Sequence, residues 1–344
     1  MSIVHDDFEK IINIENILQA WQVFKVGKTT KPDVAIFERN LEDNLFALAF
    51  ELKNGTYKHS GYKHFVVSDT KKRDINKAEV RDRIIHQILY DYLVQLFEPY
   101  FIQHSYSSRI GKGTLKAVLQ LKKFSQEIAK NNFGNCYAVK SDVCKYFDNI
   151  NHLILFDILR AKIKDERIRK MLLEVINSFH TMSGKGIPLG NVTSQIFANI
   201  YLNELDQYVL KTLKICYYIR YNDDFVILGL DKKQVCNEAE KAKRFVAEKL
   251  LLEIPKEKAV FRKLKWGIDF CGSIILPNAI LLRHKTKKGM LKKLEYTILK
   301  YNNGDIALSD FARVYNSYTG LMKHYDCHNL KNKIKNEFLY GAIL

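Results

Sequence analysis

Apolar and polar positions in the first third of the chain predict two helices separated by a hairpin. Apolar residues recur at helical spacing over residues 37–52 and again over the longer stretch 80–97. Between these stretches, residues 62–67 have strand composition, a basic run over residues 70–73 that includes Arg73 follows, and Asp74 and Ile75 come next. The pattern therefore predicts a hairpin with a basic tip between the two helices.

In the middle of the chain, strand-like and helical segments alternate, and one hairpin carries two adjacent acids. Residues 136–143 have strand composition, and residues 154–173 follow with helical spacing. Residues 215–227 have the form of a strand, a polar turn and a second strand, with Asp223 and Asp224 at the turn. We therefore expect a hairpin that presents two carboxylates.

The last third predicts one more helix, two short strands and a helical module. Helical spacing extends over residues 231–250, and strand-like segments follow around Val260 and over residues 268–275. Residues 285–344 have helical spacing and many tyrosines. Because antiparallel hairpins alternate with helices, the expected fold class is α+β and not a doubly wound parallel sheet.

Charge indicates the class of partner. The 344-residue chain holds 55 Lys and Arg against 38 Asp and Glu, which gives a net charge of +17 at pH 7. Twelve of the basic residues lie within residues 256–300, a stretch with only three acids. An excess of this size indicates a polyanionic partner, and nucleic acid is the leading candidate.

Composition excludes several other classes. With 47% hydrophobic residues the chain is globular and not disordered. The six cysteines form no CxxC pair, which disfavours both zinc sites and a disulfide scaffold. No run approaches the 18 apolar residues of a membrane span, and acids stand near the N-terminus where a signal peptide has a basic start. We therefore expect a cytoplasmic protein with no membrane partner.

Three acids form the candidate for chemistry: Asp142, which follows a predicted strand, and the adjacent pair Asp223 and Asp224. Joining a 3′ hydroxyl to a nucleoside triphosphate takes two divalent cations about 3.5 to 4 Å apart. Mg²⁺ prefers carboxylate oxygens, and a bound cation offsets the repulsion between adjacent acids. An isolated Asp-Asp pair is more often a solvated turn, so the assignment depends on the surrounding residues.

The surrounding residues resemble the ordered motifs of reverse transcriptases. Residues 221–224 (YNDD) resemble the YxDD box, residues 142–152 resemble the preceding acidic motif in its bacterial form, and residues 186–202 match the intervening motif. Four further boxes follow the expected order: Asp82-Arg83, the loop over 105–114, Lys258 after Leu252, and residues 270–272. The resemblance covers about residues 60–275, and seven ordered boxes are a specific signal.

The resemblance implies an RNA-directed DNA polymerase with a right-hand fold of fingers, palm and thumb. On this interpretation residues 1–135 are fingers with N-terminal helices and residues 277–344 are a basic helical thumb. Residues 136–276 are an antiparallel-sheet palm, interleaved with fingers elements around residues 160–200. The implied partners are template RNA, the primer and cDNA duplex, and dNTPs. The implied host is a bacterium or a phage.

The family also implies a role for each residue of the acidic site. Asp142 and Asp223 would be the principal ligands of two Mg²⁺ ions, for which Mn²⁺ is a substitute, Asp224 would be the third acid, and the Val143 carbonyl would be a backbone ligand. Lys258 resembles the lysine that approaches the departing pyrophosphate, where an ammonium stabilises charge or donates a proton. A solvated lysine in a basic segment is the alternative for Lys258.

Four residues are predicted to contact the incoming dNTP. Phe147 matches the aromatic steric gate, whose ring leaves no room for a ribose 2′ hydroxyl. Arg73 lies on the hairpin that would fold over the triphosphate, and Leu189 and Gln195 belong to the intervening motif. The alternative for Phe147 is a core ring at the end of a strand.

Further residues are predicted to bind nucleic acid. Arg109 and Lys112 lie beside glycines that permit close approach to a template backbone, although an ordinary loop turn explains them equally well. The other predicted contacts are Gly272, Lys285, Lys287 and Lys288.

One motif points to a subgroup. Most group II intron and retroviral enzymes that resemble this chain carry Gln where Leu189 stands, and intron enzymes carry Ser-Pro where Ser194 and Gln195 stand. The LGxxxSQ form resembles reverse transcriptases of diversity-generating retroelements, which implies mutagenesis at template adenines and a small basic oligomeric helical accessory protein. Leu in place of an amide removes a hydrogen-bonding group near the nascent base pair, so we expect reduced fidelity unless Leu189 is simply a packing residue.

Two alternatives remain open. A retron or antiphage-defence reverse transcriptase would keep the same chemistry, and only the genomic neighbourhood separates it from a retroelement enzyme. A protein of a different class would bind nucleic acid on an inactive polymerase fold. Retention of three clustered acids argues against that alternative, because negative charge in a binding groove repels phosphate.

Overall fold

The fold follows from a computed structural model that describes residues 7–68, 72–130 and 135–339. In chain order its helices are α1 (Asp7–Ile12), α2 (Ile14–Lys25), α3 (Pro32–Arg39), α4 (Leu41–Lys53), α5 (Val80–Phe97), α6 (Thr114–Ala129), α7 (Tyr146–Asn149), α8 (His152–Lys162), α9 (Glu166–Asn177), α10 (Val192–Gln207), α11 (Lys232–Leu250), α12 (His284–Asn302), α13 (Leu308–Met322) and α14 (His328–Ile334). Its strands are β1 (Tyr62–Ser68), β2 (Lys72–Ala78), β3 (Tyr137–Asp142), β4 (Tyr218–Tyr221), β5 (Asp224–Gly229), β6 (Ala259–Lys263), β7 (Ile268–Phe270), β8 (Ser273–Ile275) and β9 (Ile280–Leu282).

Helices and antiparallel strands alternate along the chain, so the predicted α+β class is confirmed. Both predicted hairpins form: β1 pairs with β2, and β4 pairs with β5. Part of the basic tip of the first hairpin, residues 69–71, lies outside the described residues, as do residues 340–344 of the predicted thumb. No described helix is both long enough and apolar enough to span a bilayer.

Two predicted helices are each two helices in the structure. The helix expected over 37–52 is interrupted at Asn40, whose φ of −119° and ψ of 46° are not helical. The helix expected over 154–173 is interrupted before Asp165, whose carboxylate accepts a hydrogen bond from the backbone N–H of Arg167 and caps α9. Apolar spacing continues across both interruptions, and it therefore carries no signal of either break.

The chain divides into two compact units. The first contains the described residues of Met1–Gln103, Val143–Lys214 and Lys241–Pro255. Within it, α5 packs against both α2 and α10. Trp21 of α2 is fully buried, and most residues of α10 are buried as well. The β1–β2 hairpin belongs to this unit.

The second unit contains the described residues of His104–Asp142, Ile215–Glu240 and Lys256–Leu344. Its main sheet has the strand order β4-β5-β3-β6, and every neighbouring pair is antiparallel. Helix α6 packs against β4 and β5 with an amphipathic face that buries Val118 and Leu121. Because β5 is a central strand, its first residue, Asp224, is paired on both sides, with Tyr221 of β4 and Asp142 of β3.

A smaller sheet and a helical cluster complete the second unit. The smaller sheet has the order β7-β8-β9, also antiparallel. Helices α12 to α14 share a separate core that includes Leu294, Phe311 and Ile334. The C-terminal region is therefore helical, as its spacing predicts, and it has a hydrophobic core of its own.

Candidate active site

Three acids meet at one end of the main sheet of the second unit. Asp142 is the last residue of β3, and Asp224 is the first residue of β5. The two residues are directly opposite each other in the antiparallel register, an arrangement that places their Cβ atoms about 5 Å apart. Asp223 precedes Asp224 in the two-residue turn between β4 and β5. The predicted convergence of the three acids is present.

The turn that carries Asp223 is held by two side chains. Asn222 has φ of +56°, a left-handed conformation that Asn tolerates better than most residues. Its amide donates to the Asp223 carboxylate at 2.9 Å. Arg220 is fully buried, and its guanidinium donates to the Asn222 carbonyl at 3.0 Å. The Asn222 amide therefore orients the Asp223 carboxylate, and Arg220 holds the backbone of the turn.

Two lysines supply positive charge to the acids. Lys140 lies two residues before Asp142 on β3, on the same face of the strand, and its Nζ is 3.2 Å from Asp224 Oδ2. Lys258 lies just before β6, the strand that pairs with β3, and its ammonium forms an ion pair with the Asp142 carboxylate. Each lysine partly neutralises one acid of the cluster.

The pKa values of Asp223 and Asp224 are both raised. Burial raises the pKa of Asp223, and the nearby Asp142 carboxylate raises it further. Burial also raises the pKa of Asp224, to about 6, against an opposing effect of Lys140. One oxygen of Asp224, Oδ1, is buried and has no hydrogen-bond partner. Such an atom is costly to bury unless something else binds it.

These features fit a divalent cation chemically. Buried, mutually repelling carboxylates with an unsatisfied oxygen are suitable ligands for a hard cation such as Mg²⁺. No group of three or more His, Cys, Asp or Glu side chains in the described part of the chain is already arranged as a metal cluster. The Lys258 ammonium forms an ion pair with the Asp142 carboxylate, one of the acids that a cation would need.

The predicted template-binding loop lies beside the edge strand β4. The backbone of Arg220 pairs with His104 and Tyr106, which extends the sheet by a short segment. Arg109 donates to the Ser105 carbonyl at 2.8 Å, and the Lys112 ammonium lies 5.1 Å from the centre of the Tyr106 ring. The loop is therefore built onto the same sheet as the acids.

The residues predicted after the main sheet occupy the smaller sheet and the start of α12. Gly272 lies in the turn between β7 and β8, with φ of +78°, and its carbonyl accepts a hydrogen bond from the Thr286 hydroxyl at 3.0 Å. The neighbouring Cys271 thiol has a raised pKa because it is buried and, to a lesser degree, because the Asp224 carboxylate is nearby. The three predicted lysines are exposed on the first turns of α12: Lys285, Lys287 and Lys288.

The first unit brings together the backbone around the residues predicted to contact the dNTP. Phe147 lies on α7, half-buried, and its carbonyl accepts a hydrogen bond from the backbone N–H of Ile187 at 2.9 Å. Leu189 is half-buried two residues further on, and its carbonyl accepts from the backbone N–H of Asn76 at 2.9 Å. Strand β2, which contains Asn76, also carries Arg73. One hydrogen-bonded segment thus links all three predicted residues.

Gln195, Arg73 and Val143 differ in exposure. Gln195 is exposed on the first turn of α10, and Arg73 is exposed on β2 opposite Val67. Val143, the residue after Asp142, is fully buried.

Sequence reasoning gave no role to two residues that shape the acidic site. The position of Lys140 beside Asp142 is predictable from strand alternation, because residues two apart on a strand share a face. The role of Arg220 is not predictable from the sequence, because a buried arginine beneath a turn leaves no periodic signal.

Comparisons with known proteins give matches over more than half of the chain. A family model described as "Reverse transcriptase (RNA-dependent DNA polymerase)" matches residues 57–275. The chain is 22% identical over 303 residues to "Group II intron-encoded protein LtrA" of Lactococcus lactis subsp. cremoris, across 67% of this chain and 49% of that protein. It is 23% identical over 263 residues to "Putative COX1/OXI3 intron 2 protein" of Saccharomyces cerevisiae, across 58% of this chain and 30% of that protein.

The chain spans about half the length, or less, of these curated relatives. Among solved structures, it is similar to "Structure of apo telomerase from Candida Tropicalis", with a TM-score of 0.48 and 13% sequence identity. That alignment covers 65% of this chain and 49% of the telomerase chain.

Proposed function

The chain belongs to the reverse transcriptase (RNA-dependent DNA polymerase) family, and we propose that it copies an RNA template into DNA by nucleotidyl transfer at Asp142, Asp223 and Asp224. The observation that carries the proposal is the meeting of these three acids at one end of the sheet, with a buried oxygen of Asp224 unsatisfied. The proposal includes a right-hand polymerase with fingers over residues 1–135, palm over 136–276 and thumb over 277–344.

The acids would hold two Mg²⁺ ions, with the Val143 carbonyl as a further ligand. When bound, such ions activate the attacking 3′ hydroxyl and neutralise charge on the triphosphate. Before binding, Lys140 and Lys258 offset part of the negative charge of the site. With Asp142 holding a cation, the Lys258 ammonium would stabilise the negative charge of the departing pyrophosphate.

Primer extension tests the proposed function. Purified full-length chain, Mg²⁺, a primed RNA template and dNTPs should yield extended DNA, and EDTA should abolish the extension. An RNA-primed DNA template serves as the comparison for template preference. Complete failure to extend on any primed template, with either Mg²⁺ or Mn²⁺, would overturn the proposal.

Within the family, we propose the finer role of error-prone cDNA synthesis for a diversity-generating retroelement. The support is the Leu189-Gly190 segment followed by Ser194 and Gln195. A template repeat near the gene, paired with a variable repeat that differs from it at adenines, is expected. A gene neighbourhood with a structured retron RNA or a defence effector, and no repeat pair, would contradict this role.

Leu189→Gln should lower misincorporation opposite template adenine roughly fivefold, because one restored hydrogen bond discriminates by about 1 kcal/mol. The measurement is sequencing of cDNA made from a template with adenines in varied contexts. Leu189→Met is the matched control, because it keeps an apolar side chain of similar volume, and its error rate should equal that of the wild type. Equal error rates for the Gln and Met variants would show that Leu189 is only a packing residue.

We also propose a small basic oligomeric helical accessory protein as partner, and the N-terminal helices offer a complementary surface. Residues 1–52 contain nine acids against five bases, in a chain that is basic overall. On α4, Phe46 and Phe50 lie one turn apart and are 59% and 68% exposed, with Glu42 one turn before Phe46. An exposed aromatic pair beside acids suits a basic helical partner.

Joint replacement of Phe46 and Phe50 by Ser should weaken binding of the basic protein encoded beside this gene by about tenfold or more, since aromatic contacts of this kind commonly contribute over 1 kcal/mol each. Isothermal titration calorimetry measures the change. Leu308→Ser is the control, because Leu308 is similarly exposed at 54% but lies at the start of α13. Unchanged affinity in the double variant would contradict this surface.

A further inference from the structure

A short segment before α10 covers the open edge of the β1–β2 hairpin. The backbone N–H of Asn76 donates to the Leu189 carbonyl at 2.9 Å. The Asn191 side-chain amide donates to the Asn76 carbonyl at 2.9 Å, and its oxygen accepts from the backbone N–H of Ala78 at 3.3 Å. We call these three hydrogen bonds the edge contact. They satisfy the groups of β2 that a third strand would satisfy.

The Asn191 side chain contributes to the edge contact and does not cap the helix that it precedes. It is the N-cap residue of α10, a position where an Asn side chain normally accepts a hydrogen bond from a backbone N–H of the first turn and stabilises the helix. Here its side chain makes no cap hydrogen bond and is 2% exposed. Asn13, the N-cap of α2, shows the ordinary arrangement, since its side chain accepts from the backbone N–H of Asn16. The amide of Asn191 is therefore committed to the hairpin.

The segment around Asn191 fits closely against β2. Gly190 has φ of +113°, and a Cβ built there would lie 2.7 Å from the Ile75 Cγ2 atom. Only glycine meets both conditions without displacement. The Ser194 hydroxyl donates to the Pro188 carbonyl at 2.6 Å and closes the loop on its other side. The edge contact thus joins two well-defined pieces of backbone.

We propose that Asn191 is a positioning residue for the incoming nucleotide. Through the edge contact it fixes the hairpin that carries Arg73 against the segment that carries Leu189. The distance between Arg73, which would bind the triphosphate, and Leu189, which would contact the nascent base pair, is thereby held constant. The proposal rests on the proposed function, because it assigns both residues to one dNTP.

The first test is independent of polymerase activity. Asn191→Ser keeps a good N-cap residue but is too short to reach β2, so α10 should be retained while the two hydrogen bonds that the Asn191 side chain gives the edge contact are lost. Hydrogen–deuterium exchange of the full chain should show the Ala78 amide, which loses its acceptor, exchanging about fivefold faster or more, since one hydrogen bond is worth about 1 kcal/mol, with a smaller increase at the Asn76 amide, which keeps the Leu189 carbonyl. Asn13→Ser, also at an N-cap, should leave both amides unchanged.

The second test is steady-state dNTP incorporation. Asn191→Ser should raise KM for all four dNTPs by about fivefold to tenfold, from the loss of positioning worth about 1 kcal/mol, with kcat within twofold of wild type. A merely structural role would lower kcat through loss of active enzyme and leave KM unchanged. Asn191→Asp, which keeps the acceptor and loses the donor, provides a second variant if the Ser variant folds poorly.

A double variant tests whether the effect passes through the hairpin. In an Arg73→Ala background, Asn191→Ser should raise KM by less than twofold, because the group it positions is already absent. Unchanged amide exchange overturns the edge contact, and faster exchange with an unchanged KM overturns the positioning role. An equal KM increase in the Arg73→Ala background overturns the link to Arg73. If the exchange result is as expected but the wild-type chain incorporates no dNTP, the proposed function is wrong, and the positioning role is wrong with it.

Discussion

Asp223→Asn should reduce primer extension by about a thousandfold or more, because a lost ligand removes several kcal/mol of transition-state stabilisation and each 1.36 kcal/mol is a factor of ten in rate. Asn keeps the shape of the side chain and its hydrogen bond with Asn222 remains feasible, so the change is one of charge. Single-turnover extension of a primed RNA template with saturating dNTP and Mg²⁺ measures the chemical step.

The unfolding temperature of the Asp223→Asn variant distinguishes loss of activity from misfolding. Burial and the Asp142 carboxylate raise the pKa of Asp223, so its ionised form destabilises the folded chain at neutral pH when no cation is bound. The Asn variant should therefore unfold at the same or a higher temperature than wild type in EDTA. Asp157→Asn, at an exposed acid on α8 that pairs with Arg160, should retain full activity. Extension by the Asp223→Asn variant within tenfold of wild type would remove Asp223 from the chemistry.

Phe147→Val should reduce the preference for dTTP over UTP by about 10- to 200-fold, the range expected when an apolar contact of 1–3 kcal/mol is changed. The smaller side chain leaves room for a ribose 2′ hydroxyl, whereas the ring excludes it. The measurement is the ratio of kcat/KM for dTTP and UTP on the same primed template, with dTTP incorporation as the check that the variant is active.

Phe147→Tyr is the matched control for ring size. It keeps an aromatic ring at the same position and should retain a preference for dTTP close to that of wild type. The adjacent Tyr146 is a poor choice, because its hydroxyl donates to the Ala198 carbonyl at 2.6 Å and its loss would perturb packing. A Val variant that still rejects UTP as strongly as wild type would exclude Phe147 as the steric gate.

Local signals in the sequence are sufficient for much of the fold. The acidic hairpin is predictable because two β-rich runs flank a polar turn, and the structure has β4 and β5 there. The breaks at Asn40 and before Asp165 are harder, because each depends on a single capping residue within continuous apolar spacing. Periodicity reports which face is buried, and it does not report where a helix ends.

In the candidate site, too, some features are predictable from the sequence and others depend on tertiary placement. The three acids are predictable because motif order fixes which strand ends carry them, and strand pairing then brings Asp142 opposite Asp224. The partners of those acids depend on tertiary placement: Lys258 reaches Asp142 only because β6 pairs with β3. The diversion of Asn191 from its helix cap to β2 is equally tertiary, since the sequence pattern predicts an ordinary N-cap.

Anomalous diffraction at the manganese edge tests the central claim most directly. The crystals would contain the full chain, a primed RNA template with a chain-terminated primer, a matching dNTP and Mn²⁺. The account predicts two anomalous peaks about 3.5 to 4 Å apart, both within coordination distance of Asp142 and Asp223, with the Lys258 ammonium displaced from Asp142. A map with the nucleotide bound, no peak beside these carboxylates and the Lys258–Asp142 ion pair intact would contradict it.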